Sequence, residues 1–150
     1  MADHLFKFPK QERLCSETRI TELFQKGESF MSYPVRVVWL ALKPIGNPEI
    51  RVVMSVPKKK LRHAVDRNRV KRLLRETYRL NKQHFCQLAI GQNLSLNIAF
   101  IWIPTEVLDH AKVEKKMKDA LVKFEKILLE RATEKVKVSE SLDSTVNTAL

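Results

Sequence analysis

This chain of 150 residues predicts an α+β domain, a small central β-sheet packed by helices. Three observations predict it. Strand-length runs of β-branched and aromatic residues occur at Tyr33–Leu42, Glu49–Val56 and Leu94–Ile103. Helical periodicity governs Arg67–Lys82 and the stretch from Pro104 to Arg131. These segments interleave as helix, two strands, helix, strand, helix, with a further strand if Ser29–Met31 pairs. Residues 1–131 read as one domain, and 132–150, rich in Ser, Thr and Glu without periodicity, as a disordered tail.

Each element has its own signals. The first dozen residues read as extended, with Phe6 and Phe8 packed on the domain edge or loosely held. Ser16 is placed to cap a short helix, with Glu17 in the favourable first turn. Ile20, Leu23 and Phe24 give that helix an apolar face, and Gly27 is expected to end it in the left-handed conformation. The helix is brief, so its stability must come from docking on the sheet.

Lys43–Glu49, with two prolines, a glycine and an asparagine, reads as a hairpin-type turn between the first two strands. Pro57 closes the second, because proline donates nothing to a ladder. After the central helix, Gln83–Asn93 reads as a polar connection. The run IAFIWI within Leu94–Ile103 fits a central strand covered on both faces. Pro104-Thr105-Glu106 then marks a helix start, with Val113, Met117, Ala120, Leu121, Phe124 and Leu128 on its inner face. Trp39 and Trp102 read as core.

Charge is where the sequence turns from fold to function. The chain carries 28 basic and 17 acidic residues, a net charge of +11. Eleven of the basic residues fall between Lys58 and Lys82, opposed only by Asp66 and Glu76, so nine of the net charges sit there. Charge serving solubility alone would be spread and mixed in sign. On a helix, Val70, Leu73, Leu74, Thr77 and Tyr78 form one apolar stripe, with Arg67, Asn68, Lys71, Arg72, Arg75, Arg79 and Lys82 roughly opposite and Arg69 flanking. Lys58, Lys59, Lys60 and Arg62 lead into it.

A polyanion is the natural partner. Five of the seven basic residues in Arg67–Lys82 are arginine, whose planar fork grips phosphate bidentately and keeps its charge. A membrane surface fits less well, because interfacial helices need bulky apolar residues free to insert, and here the stripe has strands to pack on. Asn68 is placed to cap the helix, to bond neighbouring arginines, or to contact RNA. On the first strand Arg36 and Val38 share a face, beside Phe24, which is as well placed for core as for a groove. Single-stranded RNA is commonly held by aromatic stacking within a basic groove.

Other chemistry is poorly provided for. The three glycines are isolated, so there is no glycine-rich phosphate loop. Cys15 and Cys86 form no CxxC pair and have no partner at metal-ligand spacing, the plain mark of a reduced cytosolic protein. His4, His63, His84 and His110 are scattered over separate elements, and the acidic residues lie mostly on the solvent side of the last helix, an arrangement unsuited to a nuclease centre. The longest apolar run, Ile98–Ile103, is strand length, and no signal peptide or repeat is visible.

The segment SVPKKKLRHAVDRNRVKRLLRETYR resembles the signature of the protein component of bacterial ribonuclease P, an RNR followed by xKRxxRE. Arg67, Asn68, Arg69, Lys71, Arg72, Arg75 and Glu76 meet every signature position. Glu12–Leu14 and the helix ending in LFQKG at Leu23–Gly27 also resemble the family's N-terminal region, so the likeness spans roughly residues 10–130. Two positions depart from it. Pro57 stands where the family usually has serine, and Ile20 where it often has phenylalanine, which removes a ring able to stack on a base.

The resemblance implies a left-handed βαβ crossover, against the strong general preference for right-handed ones. It also implies an auxiliary subunit of an endoribonuclease. Catalysis would belong to the RNA subunit and to Mg²⁺ held mainly by that RNA, removing the 5′ leader of precursor tRNA to leave a 5′ phosphate. No catalytic residue or protein-held metal is expected in this chain. Contacts to the catalytic RNA would fall to Arg67, Asn68, Arg69, Lys71, Arg72, Arg75, Arg79 and Lys58–Lys60, and the leader would lie by Phe24, Ile20, Arg36 and Val38. The partners implied are the catalytic RNA and precursor tRNA, in the cytoplasm, with no membrane and no obligate protein partner. The alternative is an RNA-binding module without enzymatic role, such as a ribosomal protein.

Overall fold

The computed structural model describes residues 10–149, with side chains through residue 132. A 3-10 turn, Lys10–Glu12, precedes α1 (Glu17–Lys26), β1 (Glu28–Ser32), β2 (Val35–Leu42), β3 (Ile50–Ser55), α2 (Ala64–Asn81), α3 (Gln83–Gly91), β4 (Ser95–Trp102) and α4 (His110–Ala149). The strands form one sheet in the order β1-β2-β4-β3, in which β3 and β4 are parallel and the other pairs antiparallel. The optional strand at Ser29–Met31 therefore forms, pairing Glu28–Ser32 with Val35–Trp39. Expectations for residues 1–9 lie outside the described residues, and the expected tail falls where no side chains are described.

The sheet has one thickly covered face. Val35, Val37 and Trp39 on β2, Ile50, Val52 and Met54 on β3, and Leu96, Ile98, Phe100 and Trp102 on β4 alternate toward it, the strand period of two placing them together. Against them lie Val70, Leu74 and Tyr78 of α2 and all six apolar residues expected on the inner face of α4. Phe124 is the hub, its ring 5.5 Å from Phe30, 5.2 Å from Trp39 and 4.7 Å from Phe85. Both tryptophans are core. The opposite face carries a smaller cluster, Leu14, Leu23, Val38 and Ala99, with α1 lying across it.

Five local expectations are corrected. Lys43–Glu49 is not a hairpin turn, because β4 lies between β2 and β3 in the sheet and the two strands it joins do not pair. Gln83–Gly91 is a helix, not a polar connection: Phe85 and Ala89, one turn apart, are buried, and Lys82 between α2 and α3 keeps helical dihedrals (φ −75°, ψ −20°). Asn93 (φ 58°) supplies the left-handed residue after it, letting Leu94 N–H donate to the Ala89 carbonyl at 3.1 Å. Gly27 is not left-handed but extended (φ −71°, ψ 158°). It is required for closeness, because a Cβ there would overlap the Leu23 carbonyl oxygen and stand 2.9 Å from that of Trp39.

Helix α4 begins at His110, not at Pro104–Glu106. The buried Trp102 indole N–H needs an acceptor and takes the Glu106 carbonyl at 3.2 Å, which holds that segment as a loop, and Asp109 O accepts the first helical N–H, from Val113. The last correction is Lys82. It is 3% exposed and its ammonium is paired with Glu12, so it belongs to the packing between the N-terminal turn and α2, away from the solvent-facing cations.

The two thiols are placed very differently. Cys15 is exposed, whereas burial pushes the Cys86 thiol up to about 11, beside the Tyr78 hydroxyl at 3.8 Å. The thiolate is the reactive form. Iodoacetamide at pH 8 is therefore expected to label Cys15 and spare Cys86 in the native protein, checked by peptide mass spectrometry; equal labelling would contradict the burial.

Candidate nucleic-acid interface

The lysine turn is built before the helix. Lys60 and Leu61 N–H both reach the Pro57 carbonyl, at 3.0 and 3.3 Å, and Leu61 is buried, so the turn Lys58–Lys60 is pinned with its side chains in solvent. Arg67 ties this turn to α2: its Nη1 donates to the carbonyls of Leu61 at 2.9 Å and Arg62 at 2.8 Å. The first arginine of the signature is thus half-buried and spent on architecture. Its position near the apolar stripe, not opposite it, is a correction.

Farther along α2, Val70, Leu74, Thr77 and Tyr78 are buried as expected, and Leu73 is half-buried. Thr77 closes its own hydroxyl on the Leu73 carbonyl at 2.8 Å, which lets a polar side chain sit in the stripe. Arg79 is engaged with Glu76, Nη2 to Oε1 at 2.7 Å, and that hydrogen bond holds the Glu76 carboxyl below the usual range. The Glu76–Arg79 pair leaves its surface locally neutral.

What remains is a continuous group of uncommitted cations. Lys58, Lys59, Lys60, Arg62, Arg69, Arg72 and Arg75 are exposed and Lys71 half-buried, and none has a side-chain partner among the described residues. Asn68 is exposed between them. It neither caps α2, whose cap position is His63, nor bonds an arginine. Like charges gathered on one helix and its lead-in repel one another, and a polyanion laid across them relieves that repulsion.

The groove residues part company. Phe24 is 49% exposed, and Arg36 is exposed with Nη2 donating to Ser29 Oγ at 3.1 Å. Val38, on β2, is 6% exposed, and Ile20, on the sheet side of α1, is half-buried; both belong to the cluster of Leu14, Leu23 and Ala99 that joins α1 to the sheet. Two exposed residues were missed: Met31, which pairs in register with Arg36, and Tyr33 in the following turn. An aromatic residue just outside a strand, in a turn too short to bury it, was the available signal for Tyr33. Among the described residues no three His, Cys, Asp or Glu side chains come together.

The Ribonuclease P family model matches residues 8–125. Ribonuclease P protein components of two Porphyromonas gingivalis strains are 37% identical over 119 residues, covering 79% of this chain and 87% of theirs. The Staphylococcus aureus RNase P protein structure superposes with a TM-score of 0.60 at 25% identity, over 77% of this chain and 95% of that one. The Thermotoga maritima RNase P protein, at 24% identity and a TM-score of 0.55 over 73% and 94% of the two chains, shares the fold. The signature helix, the sheet that carries it and these likenesses agree: the chain belongs to the bacterial ribonuclease P protein family.

Proposed function

We propose that α2 and its lysine turn bind the catalytic RNA of ribonuclease P, while the groove beside α1 takes the single-stranded 5′ leader of precursor tRNA. RNA binding and tRNA processing follow from the family, and the alternative of a ribosomal protein gives way to it. The observation that carries the finer reading is the division of the α2 cations. Arg67 and Arg79 are occupied by protein, leaving Lys58–Lys60, Arg62, Arg69, Lys71, Arg72 and Arg75 to RNA phosphates, with Asn68 among them as a short hydrogen-bonding contact. Phe24, Arg36, Met31 and Tyr33 offer exposed rings, a thioether and a guanidinium on the other side of the sheet.

Cleavage itself is assigned to the RNA subunit. Mg²⁺, the expected ion, is taken to act with that RNA as part of the same proposal. No helix among the described residues is long and apolar enough to cross a membrane, and a cytoplasmic site of action is part of the proposal. The test is cleavage of precursor tRNA by a bacterial ribonuclease P RNA at low magnesium, with and without the protein, and with the protein alone. Stimulation only when the RNA is present supports the reading. Cleavage by the protein alone would overturn it.

The leader groove has a separate check. Phe24→Ala is expected to lower affinity for a leader-bearing precursor by about 1–3 kcal/mol, the worth of one base stacked on an aromatic ring. Affinity for a substrate without leader should be unchanged, and so should the melting temperature, because the ring is half in solvent. Equal losses for both substrates would remove Phe24 from the groove.

A further inference from the structure

Residues 12–14 strap the free edge of the sheet. β3 is an edge strand, and outside it Arg13 bridges Val52 in parallel, with Leu14 N–H donating to the Val52 carbonyl at 2.9 Å. The side chains flanking that bridge go to opposite faces. Leu14 is buried in the cluster with Leu23, Val38 and Ala99 that seats α1. Glu12 turns the other way and meets the Lys82 ammonium at the junction of α2 and α3.

Spacing puts Lys82 there. Tyr78, Lys82 and Cys86 follow one another at intervals of four, and Cys86 N–H donates to the Lys82 carbonyl at 2.8 Å, so the helical path runs through the junction with all three on one side. The surroundings are dry: burial pushes up both the Tyr78 hydroxyl and the Cys86 thiol, and Lys82 is itself buried. An ammonium in such a place needs a carboxylate against it, and taking the carboxylate away costs far more than it would for an exposed pair. Glu12–Lys82 is therefore a fixed point, unlike the solvent-exposed pair of Lys26 with Glu22 at 3.8 Å.

What the pair fixes is the entry to α1. Arg13 alone separates Glu12 from Leu14, and two residues farther on Ser16 caps the helix, its hydroxyl accepting from Arg19 N–H at 3.4 Å. The far end of α1 is set at Gly27, where the chain turns into β1. Phe24 lies between these two anchors. Without the pair, the strap keeps its bond to Val52 but loses its hold on α2 and α3.

We propose that Glu12 and Lys82 are positioning residues for the leader: their ion pair, made on the α2 face of the sheet, sets α1 and with it the ring of Phe24 on the opposite face. The proposal rests on the reading of the groove beside α1 as the leader site. It is tested on the full chain assembled with a ribonuclease P RNA. Three quantities are read: affinity for that RNA, the ratio of affinities for precursor tRNA with and without its leader, and the melting temperature.

Glu12→Gln and Lys82→Met are each expected to lower the ratio about tenfold, the worth of one stacked base, with affinity for the catalytic RNA unchanged. Both should also melt lower, so the ratio is measured below the lowest melting point. The exchanged pair, Glu12→Lys with Lys82→Glu, should restore the ratio, which lost packing alone would not do. Glu12→Asp keeps the charge with a shorter reach and serves if the exchanged pair does not fold; its ratio should fall between those of the parent and Glu12→Gln. An unchanged ratio in the single variants would overturn the proposal. So would a ratio that falls only in step with affinity for the catalytic RNA, no recovery in a folded exchanged pair, or Glu12→Asp matching the parent. A parent without preference for leader-bearing substrate would overturn the groove reading itself, and that is seen before any variant is made.

Discussion

Replacing Arg72 and Arg75 together by alanine is expected to cost about 100-fold in affinity for the catalytic RNA while leaving the fold unmoved. Each is exposed on α2 and without a protein partner among the described residues, so the folded chain loses no contact when it goes. Surface changes of this kind shift stability by less than about 0.5 kcal/mol. A hydrogen bond to a charged phosphate is worth about 1.5 kcal/mol or more, hence roughly tenfold for each arginine. The salt dependence gives a second readout. With about five phosphates neutralised, at a slope near 0.7 each, affinity should fall roughly 100-fold between about 50 and 200 mM salt. The double variant should lower that slope by about 1.4. Arg67→Ala is the contrast: it frees the Leu61 and Arg62 carbonyls and unties the lysine turn, so its loss should appear in the melting temperature as well. A flat salt response for the parent would defeat the electrostatic reading. A large melting shift for Arg72→Ala would make that residue structural.

That contrast marks where reading from sequence stops. Residue type and period placed the apolar stripe of α2 and the inner face of α4, because burial imposes the 3.6-residue period on which side chains are apolar. The concentration of arginine and lysine was equally plain. Which cations are free was not, since Arg67 is occupied by carbonyls of a preceding turn and Lys82 by Glu12, 70 residues away in sequence. Strand alternation put Arg36 and Val38 on one face. Nothing in a period of two says that α1 would lie over Val38 and leave Arg36 open. The missed helix α3 has the same origin: nine residues with Gln and His at the start carry too short a period to separate from a loop, and burial of Phe85, against Phe124, and of Ala89 makes it stable.

Gly27→Ala is expected to destabilise the protein by about 3 kcal/mol, at the upper end of what overpacking ordinarily costs. Closeness, not backbone freedom, makes glycine necessary here, since the Gly27 dihedrals are ones any residue adopts. Its amide donates to the Leu23 carbonyl at 2.8 Å to finish α1, and the chain then turns at once into β1, where Glu28 pairs with Trp39. A methyl group at this corner would overlap the Leu23 oxygen and press on the Trp39 oxygen at 2.9 Å, and both are backbone atoms that no rotamer change can move. Relief requires α1 to swing off the sheet, which opens the cluster of Leu14, Leu23, Val38 and Ala99 to water. For a domain of this size a loss of 3 kcal/mol corresponds to roughly 10 °C in melting temperature. Function should fail selectively as well. The α2 surface is anchored on the opposite face of the sheet, so affinity for the catalytic RNA should hold below the lowered melting point, while discrimination in favour of leader-bearing substrate is lost with the displacement of Phe24. A variant with unchanged melting temperature would show that the α1–β1 corner yields freely. One that lost both RNA activities together would show that the two surfaces are not mechanically separate.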